Sequence, residues 1–128
     1  MKRKMLVVLT LAAGLVVMAG PMFAHHSGAG IYDRDHPVTV SGTVTEYVFI
    51  NPHVQIHFDA KAEDGAVQSW TAESAAPQRL YRAGWTKDTL KPGDQVTVTG
   101  APSKDNKRVL SIRKLVGPGG KVLSEGAE

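Results

Sequence analysis

The sequence predicts a small all-β domain in which five strands close into a barrel, with one short helix between the third and fourth strands. Two observations lead to this prediction. Apolar and polar residues alternate in several short runs, which is the period of a strand with one buried face. Turn-forming Gly, Pro, Asn and Asp residues separate these runs, and only residues 77–83 combine helical features.

Ahead of the domain, residues 1–24 have the layout of a secretory signal peptide. Three basic residues at positions 2–4 precede an apolar run over residues 5–19. This run is shorter than the roughly 20 residues that a bilayer span needs, so we expect cleavage, a periplasmic location and no stable membrane span. Cleavage after Ala24 would make His25 the first residue. We favour it over an earlier cut that would leave five residues before His25.

The composition excludes several classes of function. The net charge is +3, but the three basic residues of the leader carry the whole excess, and the remaining chain has 12 basic and 12 acidic residues. A neutral exported domain with 6% aromatic residues is not expected to bind nucleic acid. Because the sequence has no cysteine, it forms no disulfide, no thiolate metal site and no cysteine nucleophile.

The first three strands read as a meander. From Val38, valines alternate with Thr and Ser, and Gly42 stands in phase with the valines where the strand can bend or bulge. Residues 53–59 alternate in the same way and predict strand two. Asp64-Gly65 is a hairpin turn sequence, and residues 67–73 predict strand three.

One helix and two further strands complete the predicted order. Ser74 is expected to cap a helix over residues 77–83, and Gly84 is expected to end it in the left-handed conformation. Residues 94–100 and 109–116 alternate again and predict strands four and five.

Three strands, a short helix and two more strands is the order of the five-stranded Greek-key OB barrel. Closure suits a chain of this size because it buries one face of every strand and leaves no open edge; a small open β-sandwich is the competing fold. The predicted division is a signal peptide (1–24), a His-rich arm (25–37), a barrel domain (38–123, with 121–123 a short edge strand) and a frayed tail (124–128).

The histidines suggest metal binding. All five lie in the first half of the mature chain: His25, His26, His36, His53 and His57. Residues 25–75 also hold seven acidic and two basic residues, whereas residues 76–128 hold five acidic and ten basic ones. An acidic half that carries all the histidines favours binding of a cation. The same distribution would also arise without metal binding, if the histidines lay on an exposed arm and at two surface positions of a strand.

Strand geometry limits which histidines can share an ion. His53 and His57 face the same side of strand two, about 13 Å apart at the rise of a strand, so one metal ion would take only one of them. The α-amino group and imidazole of His25 can chelate an ion if cleavage frees this residue. We therefore predict a copper or other divalent metal site formed by His25, His26 and one of His53 or His57.

The alternative is an interaction module that binds a protein or glycan without metal. Its surface would be the outer barrel face around His53, Gln55, His57 and Trp70. Arg79 and Arg82, three apart on the predicted helix, could hold an anion, although a solvated helix face is commoner. The sequence has no nucleophile motif and no phosphate-binding loop, so we expect no enzymatic activity.

Several short motifs occur together in an order that resembles a known family. They are His25-His26-Ser27, Tyr32-Asp33-Arg34-Asp35, Pro37-Val38, Gly42-Thr43-Val44, Asn51-Pro52-His53-Val54, Gly84-Trp85-Thr86 and Leu90-Lys91-Pro92-Gly93-Asp94. The family consists of small exported bacterial proteins with a domain of unknown function, and the resemblance spans nearly the whole mature chain. It implies a periplasmic location and no assigned activity. The domain also looks like small periplasmic OB-fold proteins, an analogy that concerns the fold alone.

Overall fold

A computed structural model of the protein describes residues 30–125, which form six strands and one short α-helix. In chain order these elements are β1 (Val38–Val48), β2 (Gln55–Lys61), β3 (Val67–Glu73), α1 (Pro77–Arg82), β4 (Gln95–Pro102), β5 (Val109–Val116) and β6 (Val122–Glu125). The predicted order of elements is confirmed. The last strand begins one residue later than expected and continues to Glu125, after a short 3-10 turn at Pro118–Gly120.

The strands form a closed barrel of the OB type, which confirms the predicted fold class. Their order is β3-β2-β1-β4-β5-β6, with antiparallel neighbours throughout, and a parallel pairing of β3 with β5 closes the barrel. The long β1 strand serves two neighbours, because residues 38–43 pair with β4 and residues 43–48 pair with β2. Strand β6 lies outside the five-stranded closure and pairs with β5.

The alternation in the sequence corresponds to one buried barrel face. In β2 the side chains of Ile56, Phe58 and Ala60 are buried, whereas the intervening residues are half-buried. The core contains the following residues: Val44, Val54, Ile56, Phe58, Ala72, Leu80, Trp85, Leu90, Val96, Val98, Leu110 and Leu115. Burial of this apolar surface is the main favourable term for such a small domain.

Gly42 marks a close approach between β1 and β2. A Cβ atom at this position would lie 2.3 Å from the backbone oxygen of Asp59 and 2.8 Å from Cδ2 of Phe58. The register of the β1–β2 pairing shifts between Val44 and Glu46. The predicted bend therefore has a steric reason, since only glycine lets the two backbones come this near.

Helix α1 differs from the prediction at its start. The residue that caps it is Ala76, and no side chain forms a capping hydrogen bond, so the predicted Ser74 cap is wrong. Ser74 instead directly follows the last residue of β3, and its N–H donates to the carbonyl of Val54. The predicted helix end is confirmed, because Gly84 has φ +86° and its N–H donates to the carbonyl of Tyr81.

The described part of the predicted arm lies against the barrel. Tyr32 forms an isolated bridge with Ser103, and the N–H of Asp33 donates to the carbonyl of Pro102. The N–H of Lys104 donates in turn to the carbonyl of Ile31. These backbone bonds fix residues 31–33 beside the β4–β5 turn.

The predicted signal peptide, together with His25 and His26, lies outside the described residues. Within residues 30–125 no helix is long and apolar enough to cross a membrane.

Candidate functional site

The described histidines are not gathered at one point. His53 is exposed in the loop before β2, and His57 lies within β2 with Nδ1 3.0 Å from Oγ1 of Thr71. His36 is 3.1 Å from the carboxylate of Asp33, and this hydrogen bond holds the pKa of Asp33 below its usual value. Across residues 30–125 no three His, Cys, Asp or Glu side chains are close enough to hold a metal ion.

The outer face of β2 and β3 is a ladder of polar pairs. The amide of Gln55 donates to Glu73, the imidazole of His57 contacts Thr71, and the hydroxyl of Ser69 donates to Asp59. These side chains are thus already bonded across the strands, which leaves little free capacity for a ligand on this face.

Trp70 does not belong to this outer face, which corrects the predicted interaction surface. Its register partner in β2 is Phe58, whose side chain is only 1% exposed. Directly paired residues of antiparallel strands point to the same side of the sheet. Trp70 therefore faces inward and packs against the core.

A cleft between α1, β5 and the arm has a different character. Its volume is about 880 Å³, and it is lined by small and apolar side chains, three serines, one glutamate and four arginines. The arginines are Arg34, Arg79, Arg82 and Arg113. This cleft is called the arginine groove below.

A gap in the sheet forms one wall of the arginine groove. On one edge of β5, β3 pairs with residues 109–111 and β6 pairs with residues 114–116, while β4 occupies the opposite edge. Ile112 and Arg113 lie between these two partners, and no described strand pairs with them on this edge. The barrel closure thus leaves an opening between the last residue of β3 and the last residue of β6.

Arg113 is positioned by a bulge and by the arm. The β4–β5 register shifts from Thr99 opposite Lys114 to Gly100 opposite Ile112, so Arg113 is the extra residue on β5. Bulges of this kind redirect a side chain. The guanidinium of Arg113 donates to the backbone carbonyl of Arg34 at 2.6 Å, so these two residues of the groove lining are in direct contact.

The helix supplies the other two arginines. Arg79 and Arg82 lie three positions apart and therefore share one face of α1, while Pro77 and Leu80 are buried beneath the helix. Sequence reasoning noted this pair but missed Arg34 and Arg113. The excess of basic over acidic residues after position 75 includes Arg113 but singles out no position, and Arg34 lies in the acidic first half, where that excess gives no indication of it.

The four guanidinium groups have no acidic partner in the described part of the chain. The ion pair between His36 and Asp33 involves none of them. Residues 30–125 contain five arginines and seven lysines, and the groove is lined by four of these arginines and by none of the lysines. The groove therefore concentrates arginine side chains in particular, and not positive charge in general.

Glu73 is the single carboxylate of the groove, and it is already engaged. The hydroxyl of Tyr32 donates to its Oε2 at 2.5 Å, and the amide of Gln55 donates to its Oε1 at 3.0 Å. Partial burial, together with this hydrogen bond and the charge of Glu73, raises the pKa of Tyr32. Glu73 thus anchors the arm and gives one part of the groove a negative charge.

The topology and the groove define a small OB-fold protein with an arginine-lined cleft. The chain belongs to a family of unknown function, DUF6152, whose model matches residues 12–111. This match confirms the family resemblance inferred from the motifs. It includes Arg34, Arg79 and Arg82 and ends before Arg113. No curated protein matches the chain.

Several solved structures are similar to the fold. The mitochondrial single-stranded DNA-binding protein Rim1 from S. cerevisiae has 11% identity and a TM-score of 0.48, over 71% of this chain and 96% of that chain. A ZRD-deleted mutant of TiaS in complex with agmatine has 24% identity and a TM-score of 0.48, over 75% and 24%. The small single-stranded DNA-binding protein from Streptomyces coelicolor has 18% identity and a TM-score of 0.46, over 62% and 88%. At this level of similarity the matches identify no ligand.

Proposed function

We propose that this chain is an exported, non-enzymatic binding protein of the periplasm, and that its ligand is an anion held in the arginine groove. The distribution of basic side chains carries the proposal: four of the five described arginines line one groove, and none of the seven lysines does. A general positive field would use both residue types. Arginine differs because its planar, weakly hydrated guanidinium binds carboxylate and phosphate groups through two parallel hydrogen bonds.

The arrangement is unfavourable without a ligand, which supports a binding role. Like charges gathered around one cleft repel each other, and no described carboxylate pairs with any of the four arginines. Apart from the bond that Arg113 donates to the carbonyl of Arg34, their guanidinium groups therefore contribute little to the stability of the fold. An anion in the cleft would relieve the repulsion and make use of the free donors.

The outer face of β2 and β3 is the weaker candidate for a binding surface. Its polar side chains already bond to one another across the strands, as in the pair of His57 and Thr71. Its expected aromatic residue, Trp70, packs inward against the core.

Anion titration tests the proposal on the mature protein. We expect inorganic phosphate or pyrophosphate to bind in calorimetry, and the double variant Arg79→Gln/Arg82→Gln to weaken binding by about tenfold or more. Arg108→Gln is the matched control, because Arg108 is the one described arginine outside the groove. Equal affinities of the wild type and the double variant would overturn the proposal, as would equal losses in the control.

Export and the absence of catalysis are parts of the same proposal. The basic and apolar leader supports export, and cell fractionation with N-terminal sequencing of the mature chain tests it. A cytoplasmic chain that retains its leader would contradict it. Anions recovered chemically unchanged after incubation with the protein are the expected result for a binding protein.

Metal binding through the N-terminal histidines is the second proposal. Copper or another divalent ion would be bound by His25, His26 and one of His53 or His57, and the exposure of His53 leaves that side chain free to take part. Copper titration of the mature protein should show binding that His25→Ala weakens and His36→Ala does not. Binding that does not depend on His25 would exclude this site.

A further inference from the structure

The arginine groove presents its four cations as two pairs, and the pairs come from different elements. Arg79 and Arg82 share one face of α1. Arg34 and Arg113 come from the arm and from β5, and the hydrogen bond from Arg113 to the carbonyl of Arg34 holds them together. Each pair offers enough donors for one oxyanion group, since a single guanidinium already binds a carboxylate or phosphate through two bonds.

The rest of the lining is uncharged apart from Glu73. It includes the apolar side chains of Leu80 and Ile112 and the hydroxyls of Ser74 and Ser111. A volume of about 880 Å³ lies in the range of sites that take small organic molecules, well above what one simple anion fills. The groove therefore has room for an organic ligand that carries more than one charged group.

The lining lacks the groups that would favour a nucleic acid. Single-stranded nucleic acid sites combine basic side chains with aromatic rings on which bases stack. The groove contains no Phe, Tyr or Trp, and the exposed Tyr81 of α1 is not part of its lining.

Resting on the proposed function, we infer that the ligand is a small molecule with at least two oxyanion groups, carboxylate or phosphate. The α1 pair binds one group and the Arg34–Arg113 pair binds the other. Glu73 disfavours a third anionic group in the groove, because its carboxylate would repel it. Because both pairs bind groups of the same molecule, the affinity for a two-group ligand exceeds the affinity of either pair for a single group.

The test compares one-group and two-group anions at constant ionic strength. The probes are acetate against malonate, succinate, glutarate and adipate, and inorganic phosphate against pyrophosphate, each titrated by calorimetry into the mature protein. We expect the best two-group anion in at least one series to bind about tenfold or more tightly than its one-group counterpart. The two series distinguish a carboxylate ligand from a phosphate ligand.

Variants of each pair decide whether both arginine pairs take part. Arg79→Gln/Arg82→Gln removes the first pair, and Arg34→Gln weakens the second while keeping the backbone carbonyl that accepts the bond from Arg113. Either change should abolish the advantage of the two-group anion, and Arg108→Gln should preserve it. Thermal melting verifies that each variant is folded, which is expected because Arg34, Arg79 and Arg82 are exposed.

The possible failures are distinguishable. If one-group anions bind as tightly as two-group anions and the groove variants weaken both, this inference is wrong and the anion-binding proposal stands. If no anion responds to the groove variants, the anion-binding proposal falls and takes this inference with it. If a single-stranded oligothymidylate binds more tightly than every small anion and loses affinity in the same variants, the small-molecule ligand is wrong.

Discussion

Replacing Gly42 by alanine should destabilise the barrel strongly, although the change adds one methyl group. The new Cβ would lie 2.3 Å from the backbone oxygen of Asp59 and 2.8 Å from the ring of Phe58. Neither neighbour can move easily, since one is backbone of the paired strand β2 and the other is a core side chain that is 1% exposed. The two strands would have to separate locally, which lengthens the hydrogen bonds between them.

The expected loss is about 3 kcal/mol in the free energy of unfolding, at the upper end of the usual range for overpacking. A domain of this size loses roughly 4–8 °C in Tm per kcal/mol, so the melting temperature should fall by roughly 12–24 °C. Urea denaturation followed by circular dichroism measures the change in stability directly.

Gly30→Ala is the matched control, because a Cβ atom at Gly30 meets nothing within 4 Å and the residue does not need a positive φ. It should leave stability unchanged or raise it slightly by restricting the unfolded chain. If Gly42→Ala unfolds within about 0.5 kcal/mol of the wild type, then the close approach of β1 and β2 does not constrain this position and the steric reasoning is refuted.

Three further predictions concern single side chains. Trp85→Phe removes the bond from the indole N–H to the carbonyl of Leu123 at 3.0 Å, so it should cost about 1–2 kcal/mol and speed amide exchange in β6; unchanged exchange would show that this bond does not hold β6. Glu73→Gln should lower the pKa of Tyr32, because it removes the negative charge that helps to raise it and leaves a weaker, neutral acceptor; spectrophotometric titration checks this, and an unmoved transition would contradict it. Burial raises the pKa of Tyr47 to about 12, whereas an unfolded tyrosine loses its proton near pH 10. The stability that neutral Tyr47 contributes is thus complete below about pH 10 and is lost as the pH rises toward about 12, so Tyr47→Phe should make the fall of the urea midpoint less steep over this interval; an identical slope would refute the assignment.

Much of the fold followed from local chemistry. The alternation around Ile56 and Phe58 and the turn at Asp64-Gly65 predicted a strand and a hairpin that the structure contains. Such signals are reliable because side-chain period and left-handed glycines depend only on neighbouring residues. The predicted Ser74 cap is wrong because the helix begins at Pro77 and Ala76 is therefore the capping residue. Ser74 directly follows β3, where its N–H bonds to Val54, and a tertiary contact of this kind cannot be predicted from the local sequence.

The face on which a residue lies was harder to predict than its strand. Trp70 was expected on the outer face with His57, but the β2–β3 register places it opposite Phe58 and turns it inward. A shift of one residue in register exchanges the two faces of a strand. In β3 the exposed Val67 obscures the alternation that would have fixed the register from sequence.

The sequence by itself determined the class of domain, the order of its elements and the neutral charge of residues 25–128. Only the tertiary structure decided where the positive charge is concentrated. Arg34 and Arg113 are 79 positions apart, and they meet because the arm bonds to the β4–β5 region and a bulge redirects β5. Sequence patterns report which residues are neighbours along a chain, whereas a binding site is made of residues that are neighbours in space. In this barrel the pairing of β3 with β5 brings the helix that follows β3 close to β5, and with it the arginines of α1.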